Sequence, residues 1–296
     1  MLFLKKSRII LSVSKSKKHT YGVCLINGKK YFFKENAIYE EEKYNILREN
    51  NYVVPKLLFK EDNISYYEYD EDLYSNTLYD LLYFKDLSLN EVEIYFNTLE
   101  KRIFACKKIS KIDDTNSYNF FNKRINHLDK IGELSSNIIK YFQRNCYLRS
   151  YISNGDLTDT NICLNGKVCD AENAGNNLVS ADLGIFFVSI LYGSWIYPKY
   201  HKEAYDFRVN KIKEVSSSLN IKQMFILNKI ISLVKKLDLI DQEYFKVFLL
   251  FRLLSPITFD KLDFLDKIKV QTLFKKILDS KELEELPNIC QITLQW

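Results

Sequence analysis

The chain has 296 residues, 47% apolar and 27% charged, which is an ordinary globular balance and too long for one minimal core. Eight glycines and four prolines argue against long disordered linkers. The net charge of +5 comes from basic residues mixed with acidic ones along the chain, and this excludes a dedicated nucleic-acid binder, which gathers Lys and Arg on one face.

In chain order, the opening MLFLKKSRIILSV is apolar but broken early by Lys5, Lys6 and Arg8, and has no secretory h-region or cleavage site. Arg8–Val13, Tyr21–Ile26 and Lys30–Lys34 are short and rich in β-branched or aromatic residues, which predicts three strands. Asn27-Gly28 joins the last two and suits a tight hairpin turn, because both residues tolerate positive φ. A helix is expected over Ile38–Glu49, then strands over Val53–Glu61 and Ile64–Tyr69. From Thr77 the pattern turns helical, near 77–84, 90–109, 118–130 and 136–146. A strand-like island interrupts it at Tyr147–Asp170, and helices resume near 179–194 and run to about 281. The natural boundary is Tyr69–Ser75, which divides the chain into 1–70 and 71–296. The most apolar runs, Leu183–Pro198 and Tyr244–Phe259, are too short to span a membrane, and Lys246 and Arg252 interrupt the second. They read as core helices of a protein with no membrane partner.

Six cysteines, at 24, 106, 146, 163, 169 and 290, form no C-x-x-C pair, and the histidines are His19, His127 and His201. That spacing does not suit zinc. The cysteines read as buried, reduced thiols of a cytoplasmic protein.

The island carries the chemistry. Ser153-Asn154-Gly155-Asp156-Leu157-Thr158-Asp159-Thr160-Asn161 leads into a hairpin, with Ile162–Leu164 and Lys167–Cys169 as strands and Asn165-Gly166 as the turn. Asp170 follows at its exit, so the turn makes Asn161 and Asp170 neighbours. Two carboxylates and a carboxamide then converge at a loop rim. Such oxygen ligands suit Mg²⁺, and phosphoryl transfer needs an Asp for the attacking hydroxyl with an Asn and a second Asp for the metal. Taken alone, the D-x4-N spacing also fits ordinary polar turn residues.

The stretch Gly155-Asp156-Leu157…Asn161-Ile162 resembles the "HGDLHxxNI" loop of aminoglycoside phosphotransferases and choline/ethanolamine kinases. Asp170, Glu172, Ala174, Gly175, Asn177 and Asp182 are spaced like the "D-[WF]-E-Y-A-G-x-N-x4-D" run of choline kinases. The likeness is strong over 153–186 and only suggestive elsewhere. It implies an α+β, two-lobed kinase-like fold, with a nucleotide-binding sheet lobe over 1–70 and a helical catalytic and substrate-binding lobe over 71–296. It also implies ATP and Mg²⁺ as cofactors, Asp156 as catalytic base, Asn161 and Asp170 as magnesium ligands, and Asp182 as a brace for the loop.

Such a fold needs a strand Lys paired with a helix Glu. Lys34 ends Tyr31-Phe32-Phe33-Lys34, and Glu40 shares a helix face with Tyr44 and Leu47, with Glu41 as runner-up. Two features depart from the family. The loop Ser14–Thr20 has no Gly, and Asn154 and Thr158 replace the two histidines of the motif. The resemblance implies phosphorylation of a small-molecule hydroxyl, with a choline- or ethanolamine-like amino alcohol first, and an aminoglycoside or sugar second. Glu172 and Asp159 would meet the amine, and Trp195 and Tyr197 would offer aromatic faces to it. The same rings fit a helix core equally well. A kinase-like binding module without turnover is the rival from another class, and the oligomeric state stays open.

Overall fold

The computed structural model describes residues 8–15, 20–37, 39–109, 115–119, 121, 147–200, 216, 218–255 and 259–295. The centre of the Ser14–Thr20 loop, the expected helix at 136–146 and most of that at 118–130 lie outside the described residues.

Strands β1 (Arg8–Lys15), β2 (Thr20–Ile26) and β3 (Lys29–Glu35) form an antiparallel meander. Asn27 and Gly28 turn between β2 and β3 with φ of 53° and 77°, the double positive φ expected of that dipeptide. Helix α1 (Glu40–Glu49) follows, then β4 (Leu57–Glu61) and β5 (Ile64–Glu68). The strand order is β1-β2-β3-β5-β4. The strand expected over Val53–Glu61 starts only at Leu57, because Pro55 lacks the N–H a ladder needs. Val53 instead makes an isolated bridge to Lys167. One sheet face buries Cys24, Ile26, Phe33 and Tyr66. On the other face Tyr67 joins Tyr44 and Leu47 of α1 in the main core.

The expected boundary at Tyr69–Ser75 contains a short helix, α2 (Glu71–Ser75), capped by the Asp70 side chain. Helices α3 (Leu78–Tyr83) and α4 (Leu89–Phe104) come next, the former with a Thr77–Asp80 capping box. The helix read over 90–109 stops at Phe104, since Lys108–Ile109 forms β6 against β7 (Leu148–Ser153). β7 also pairs with β8 (Gly175–Leu178), a strand the sequence reading missed. Helix α5 (Val179–Tyr192) is buried at every position except Ile185, as an all-round apolar helix must be. Beyond it run α6 (Ile196–Tyr200), α7 (Ile221–Val234), α8 (Leu239–Leu253), α9 (Phe264–Asp279) and α10 (Leu286–Leu294). Gly184 lets α5 approach α8 closely: a Cβ there would lie 2.9 Å from the Leu249 backbone nitrogen. An N-terminal antiparallel sheet followed by a helix-rich part is the α+β class expected. No described helix is long and apolar enough to cross a membrane.

Candidate active site

Strand β7 ends at Ser153 and delivers the loop 154–161 to the rim. Gly155 turns it with φ of 68°, and a Cβ there would sit 2.3 Å from the Asn173 carbonyl oxygen, so only glycine fits. The loop is held from within. Thr158 N–H donates to the Asp156 carbonyl at 2.8 Å. Asn154 Nδ2 donates to the carbonyls of Asp156 (3.2 Å) and Cys169 (3.4 Å). Asn154 thus ties the two halves of the site together.

The hairpin forms with fewer ladder bonds than the sequence suggested. Cys163 N–H donates to the Lys167 carbonyl, Cys169 N–H donates to the Asn161 carbonyl, each at 2.9 Å, and Ile162 and Val168 form one bridge. That is enough to set Asn161 beside Asp170. Asn161 Nδ2 donates to Asp156 Oδ2 at 3.1 Å, and its Oδ1 lies 3.9 Å from Cys169 Sγ. Asp170 adopts φ of 56°, in the left-handed region, and its side chain is 46% exposed. Burial raises the Asp156 carboxyl to about 6, against the pull of the Arg252 guanidinium and with a further push from Asp170.

Lys34 reaches the same rim from β3. Its Nζ lies 3.0 Å from Glu40 Oε1, 3.1 Å from Asp170 Oδ1 and 4.0 Å from Glu172 Oε1. Tyr44, one turn along α1, donates its hydroxyl to Glu40 Oε1 at 3.1 Å. Burial works against the Lys34 charge, but Asp170, Glu40 and Glu172 outweigh it and raise its pKa. Burial also raises the Glu40 carboxyl, with Lys34 holding it back. Of the first-turn glutamates, Glu40 makes the Lys34 pair. Glu41 instead binds Arg48 at 2.6 Å.

Behind the loop, Ser153 Oγ donates to Asp182 Oδ2 at 2.5 Å and accepts from the Gly155 N–H at 3.2 Å. Burial raises the Asp182 carboxyl to about 7, against that hydrogen bond. The bracing geometry expected of Asp182 is therefore present, with Ser153 as an intermediary that sequence reasoning passed over. Asn177 pins the far side, its Nδ2 3.2 Å from the Asn173 and Gly175 carbonyl oxygens. Lys43 of α1 donates to the Ala174 carbonyl at 2.9 Å.

Three expected acceptor contacts are corrected. Trp195 and Tyr197 are core residues, 3% and 2% exposed. Trp195 Nε1 donates to Asp266 Oδ1 at 3.2 Å, Lys269 stands over its ring at 5.9 Å, and Tyr197 packs edge-on against Tyr192. These faces are taken, the Trp195 ring by Asp266 and Lys269 of α9 and the Tyr197 ring by Tyr192 of α5. Asp159 is fully buried, and burial raises its carboxyl well above the usual range. It cannot offer a charge to a substrate. What does lie beside Gly155 is a cleft lined by Asn116, Asn173, Asn177, Ile185, Phe248 and Arg252, among others. Arg252 had one sequence signal, as one of two cations, with Lys246, inside the apolar run Tyr244–Phe259.

The donor set fits a hard cation. Asp170 presents a carboxylate 46% exposed, one residue past the Cys169 N–H that bonds the Asn161 carbonyl, and Glu172 lies 4.0 Å from the same Lys34 ammonium; carboxylate and amide oxygens of this kind suit Mg²⁺ completed by phosphate and water. Among the described residues no group of three His, Cys, Asp or Glu side chains converges on a metal site by itself.

No protein-family model matches the chain, and no curated protein sequence does. Solved structures do resemble it. A thermostable mutant of aminoglycoside phosphotransferase APH(4)-Ia aligns over 98% of this chain and 94% of its own, at 9% identity and a TM-score of 0.45. An ethanolamine kinase of Plasmodium vivax aligns over 96% and 81%, at 13% identity and 0.37. A choline/ethanolamine kinase family protein of Mesorhizobium loti aligns over 95% and 92%, at 11% identity and 0.37.

Proposed function

We propose that the protein is an ATP- and Mg²⁺-dependent phosphotransferase acting on a hydroxyl of a small molecule. The observation that carries this reading is the convergence of the buried Lys34–Glu40 pair on Asp170, beside the Asp156–Asn161 pair. The motif run over 153–186 supports it from sequence. In this reading residues 1–70 hold the nucleotide, and residues 71–296 carry catalysis and acceptor binding, in the cytoplasm.

Lys34, kept charged by its three carboxylates, binds the phosphates, and Glu40 fixes its direction. Asp170 and Asn161 would hold Mg²⁺, which neutralises phosphate charge when bound. Asp156 orients the acceptor hydroxyl and takes its proton. The hydroxyl oxygen forms the new bond to the γ-phosphorus, and the bond to the bridging oxygen of the leaving ADP breaks. Asn161 steers the Asp156 carboxylate through the 3.1 Å hydrogen bond.

The choline-like acceptor suggested by the 170–183 run loses its aromatic cage, since Trp195 and Tyr197 are in the core. The test is transfer from labelled ATP to a panel of alcohols, with ATP affinity measured in Mg²⁺ and in EDTA. Asp170→Asn should shrink the Mg²⁺-dependent gain in affinity. An unchanged gain removes Asp170 from the metal, and absence of both ATP binding and transfer in the unmodified protein refutes the reading. Binding of ATP without transfer would favour the kinase-like binding module.

A further inference from the structure

We propose that the protein has a second ligand site, behind the loop 154–161, for a small carboxylate with a flat apolar body, and that Arg102 grips the carboxylate. The site stands whether or not the protein transfers phosphate.

A cavity of about 110 Å³ lies between helix α4 and the hairpin that follows the loop. One buried water needs only about 10–15 Å³ of such space, and a dry cavity of about 150 Å³ takes up benzene. This one opens past Ile94 and Thr98, which line it and are exposed. It therefore admits a ring whose polar end stays at the mouth. Leu99 of α4, Leu157 of the loop, and Leu164 and Val168 of the hairpin make its walls apolar. Tyr52 and Tyr95 add aromatic residues to them, and aromatic surroundings favour a flat ring. Ser153, Asn154 and Leu157 of the wall flank Asp156 in the chain, so a bound ring packs against the back of its loop.

Most polar groups of the wall are committed elsewhere. Tyr52 donates to the Ile152 carbonyl at 2.9 Å, Thr98 to the Ile94 carbonyl at 2.8 Å, and Asn165 Nδ2 to Asp72 at 2.9 Å. Ser153 and Asn154 serve the loop itself. Arg102 is the one lining residue that carries charge. Its guanidinium lies over the Tyr52 ring at 3.9 Å, and Nη2 donates to the Asn51 carbonyl at 2.9 Å. Those contacts hold the planar fork in place and leave most of its five N–H donors over. Among the described residues no carboxylate pairs with it. A fixed guanidinium beside an apolar cavity suits a carboxylate bound edge-on, with the body turned inward. An ammonium in the same position meets a like charge.

The experiment is calorimetric titration of the full chain with four probes. Benzoate carries both ring and charge, benzyl alcohol the ring alone, acetate the charge alone, and benzylamine the ring with the opposite charge. Benzoate should bind about tenfold or more tighter than each of the others, as a hydrogen bond between charged groups gives. Arg102→Gln should bring benzoate down to the level of benzyl alcohol, and Arg102→Lys should keep part of the difference. Thr98→Trp, which fills the mouth from an exposed position, should abolish binding of benzoate and benzyl alcohol alike. Lys34→Met should leave benzoate affinity unchanged, whereas a loss there places the anion at Lys34 and overturns the proposal. No measurable benzoate binding, benzyl alcohol binding as tightly as benzoate, or benzoate affinity unmoved by Arg102→Gln or by Thr98→Trp would also overturn it. Should Arg102→Gln fail to fold, the Thr98→Trp and Lys34→Met titrations still decide.

Discussion

Replacing Lys34 by Met tests the site and the fold together. Lys34 and Glu40 have side chains only 9% and 3% exposed, and their charged atoms are 3.0 Å apart. Removing the ammonium leaves Glu40 buried with the Tyr44 hydroxyl as donor. Breaking a buried pair from one side costs about 3–5 kcal/mol. At about 2 °C per kcal/mol for a chain of this size, Tm should fall by about 6–10 °C. The loss should be smaller at acidic pH. Burial already raises the Glu40 carboxyl, so below its folded pKa it takes up a proton and no unpaired charge remains; above that pKa the full cost returns. The double variant Lys34→Met/Glu40→Gln should recover most of the stability, because no charge is stranded, yet bind ATP no better than the single variant. Thermal unfolding across pH, with and without Mg²⁺ and ATP, reads both effects. A single variant as stable as the unmodified protein, or a double variant that binds ATP normally, refutes the reasoning.

Asp156→Asn should lower turnover about a hundredfold to ten-thousandfold and leave ATP affinity nearly intact. In the unmodified protein kcat/KM should rise with pH through about 6, since the carboxylate is the acting form and burial has raised its pKa; a profile that keeps this limb in the variant would assign it to another group. Gly155→Ala forces a Cβ to within 2.3 Å of the Asn173 oxygen at a φ of 68°, so the loop must shift; expected are about 1–3 kcal/mol of destabilisation and a larger fall in kcat than in stability, checked by paired unfolding and rate measurements. Trp195→Ala should cost about 3–5 kcal/mol as a core cavity, with acceptor KM unmoved at temperatures where the variant is folded; a selective rise in KM for an amino alcohol would restore the aromatic cage.

Local signals were the legible ones. Asn27-Gly28 specified its turn, and Gly155-Asp156 with the Asn165-Gly166 hairpin placed Asn161 next to Asp170 by spacing alone. Glu40 was separable from Glu41 because only its helix face also carried Tyr44 and Leu47. One strand is hidden in the sequence for a physical reason. Gly175–Leu178 reads as loop because glycine and asparagine disfavour strands; it becomes β8 through pairing with β7, some 25 residues earlier. Trp195 and Tyr197 were open to two readings, since an aromatic residue has the same sequence signature in a core as in a cage. The deciding contacts, Trp195 with Asp266 and Lys269, come from a helix about 70 residues away. Arg252 stood out only as an interruption, and its position beside Gly155 depends on how α8 packs.

Helix α1 is stitched to the half of the molecule that carries the loop 154–161. Tyr52, just beyond its end, donates its hydroxyl to the Ile152 carbonyl, Val53 accepts from the Val168 N–H, and Lys43 binds the Ala174 carbonyl, each at 2.9 Å. Glu40 therefore travels with the loop 154–161, whereas Lys34 travels with the sheet. In the proposed phosphotransferase, rocking of the sheet to admit a nucleotide or discharge ADP would be resisted by the contacts of Lys34 with Glu40 and Asp170. In that reading the Lys34–Glu40 contact would act as a spring on product escape as well as a stabiliser. Substitutions that weaken it indirectly, such as Tyr44→Phe, should therefore speed ADP dissociation in stopped-flow measurements while lowering Tm, so that endurance and throughput are traded through a single hydrogen-bonded carboxylate.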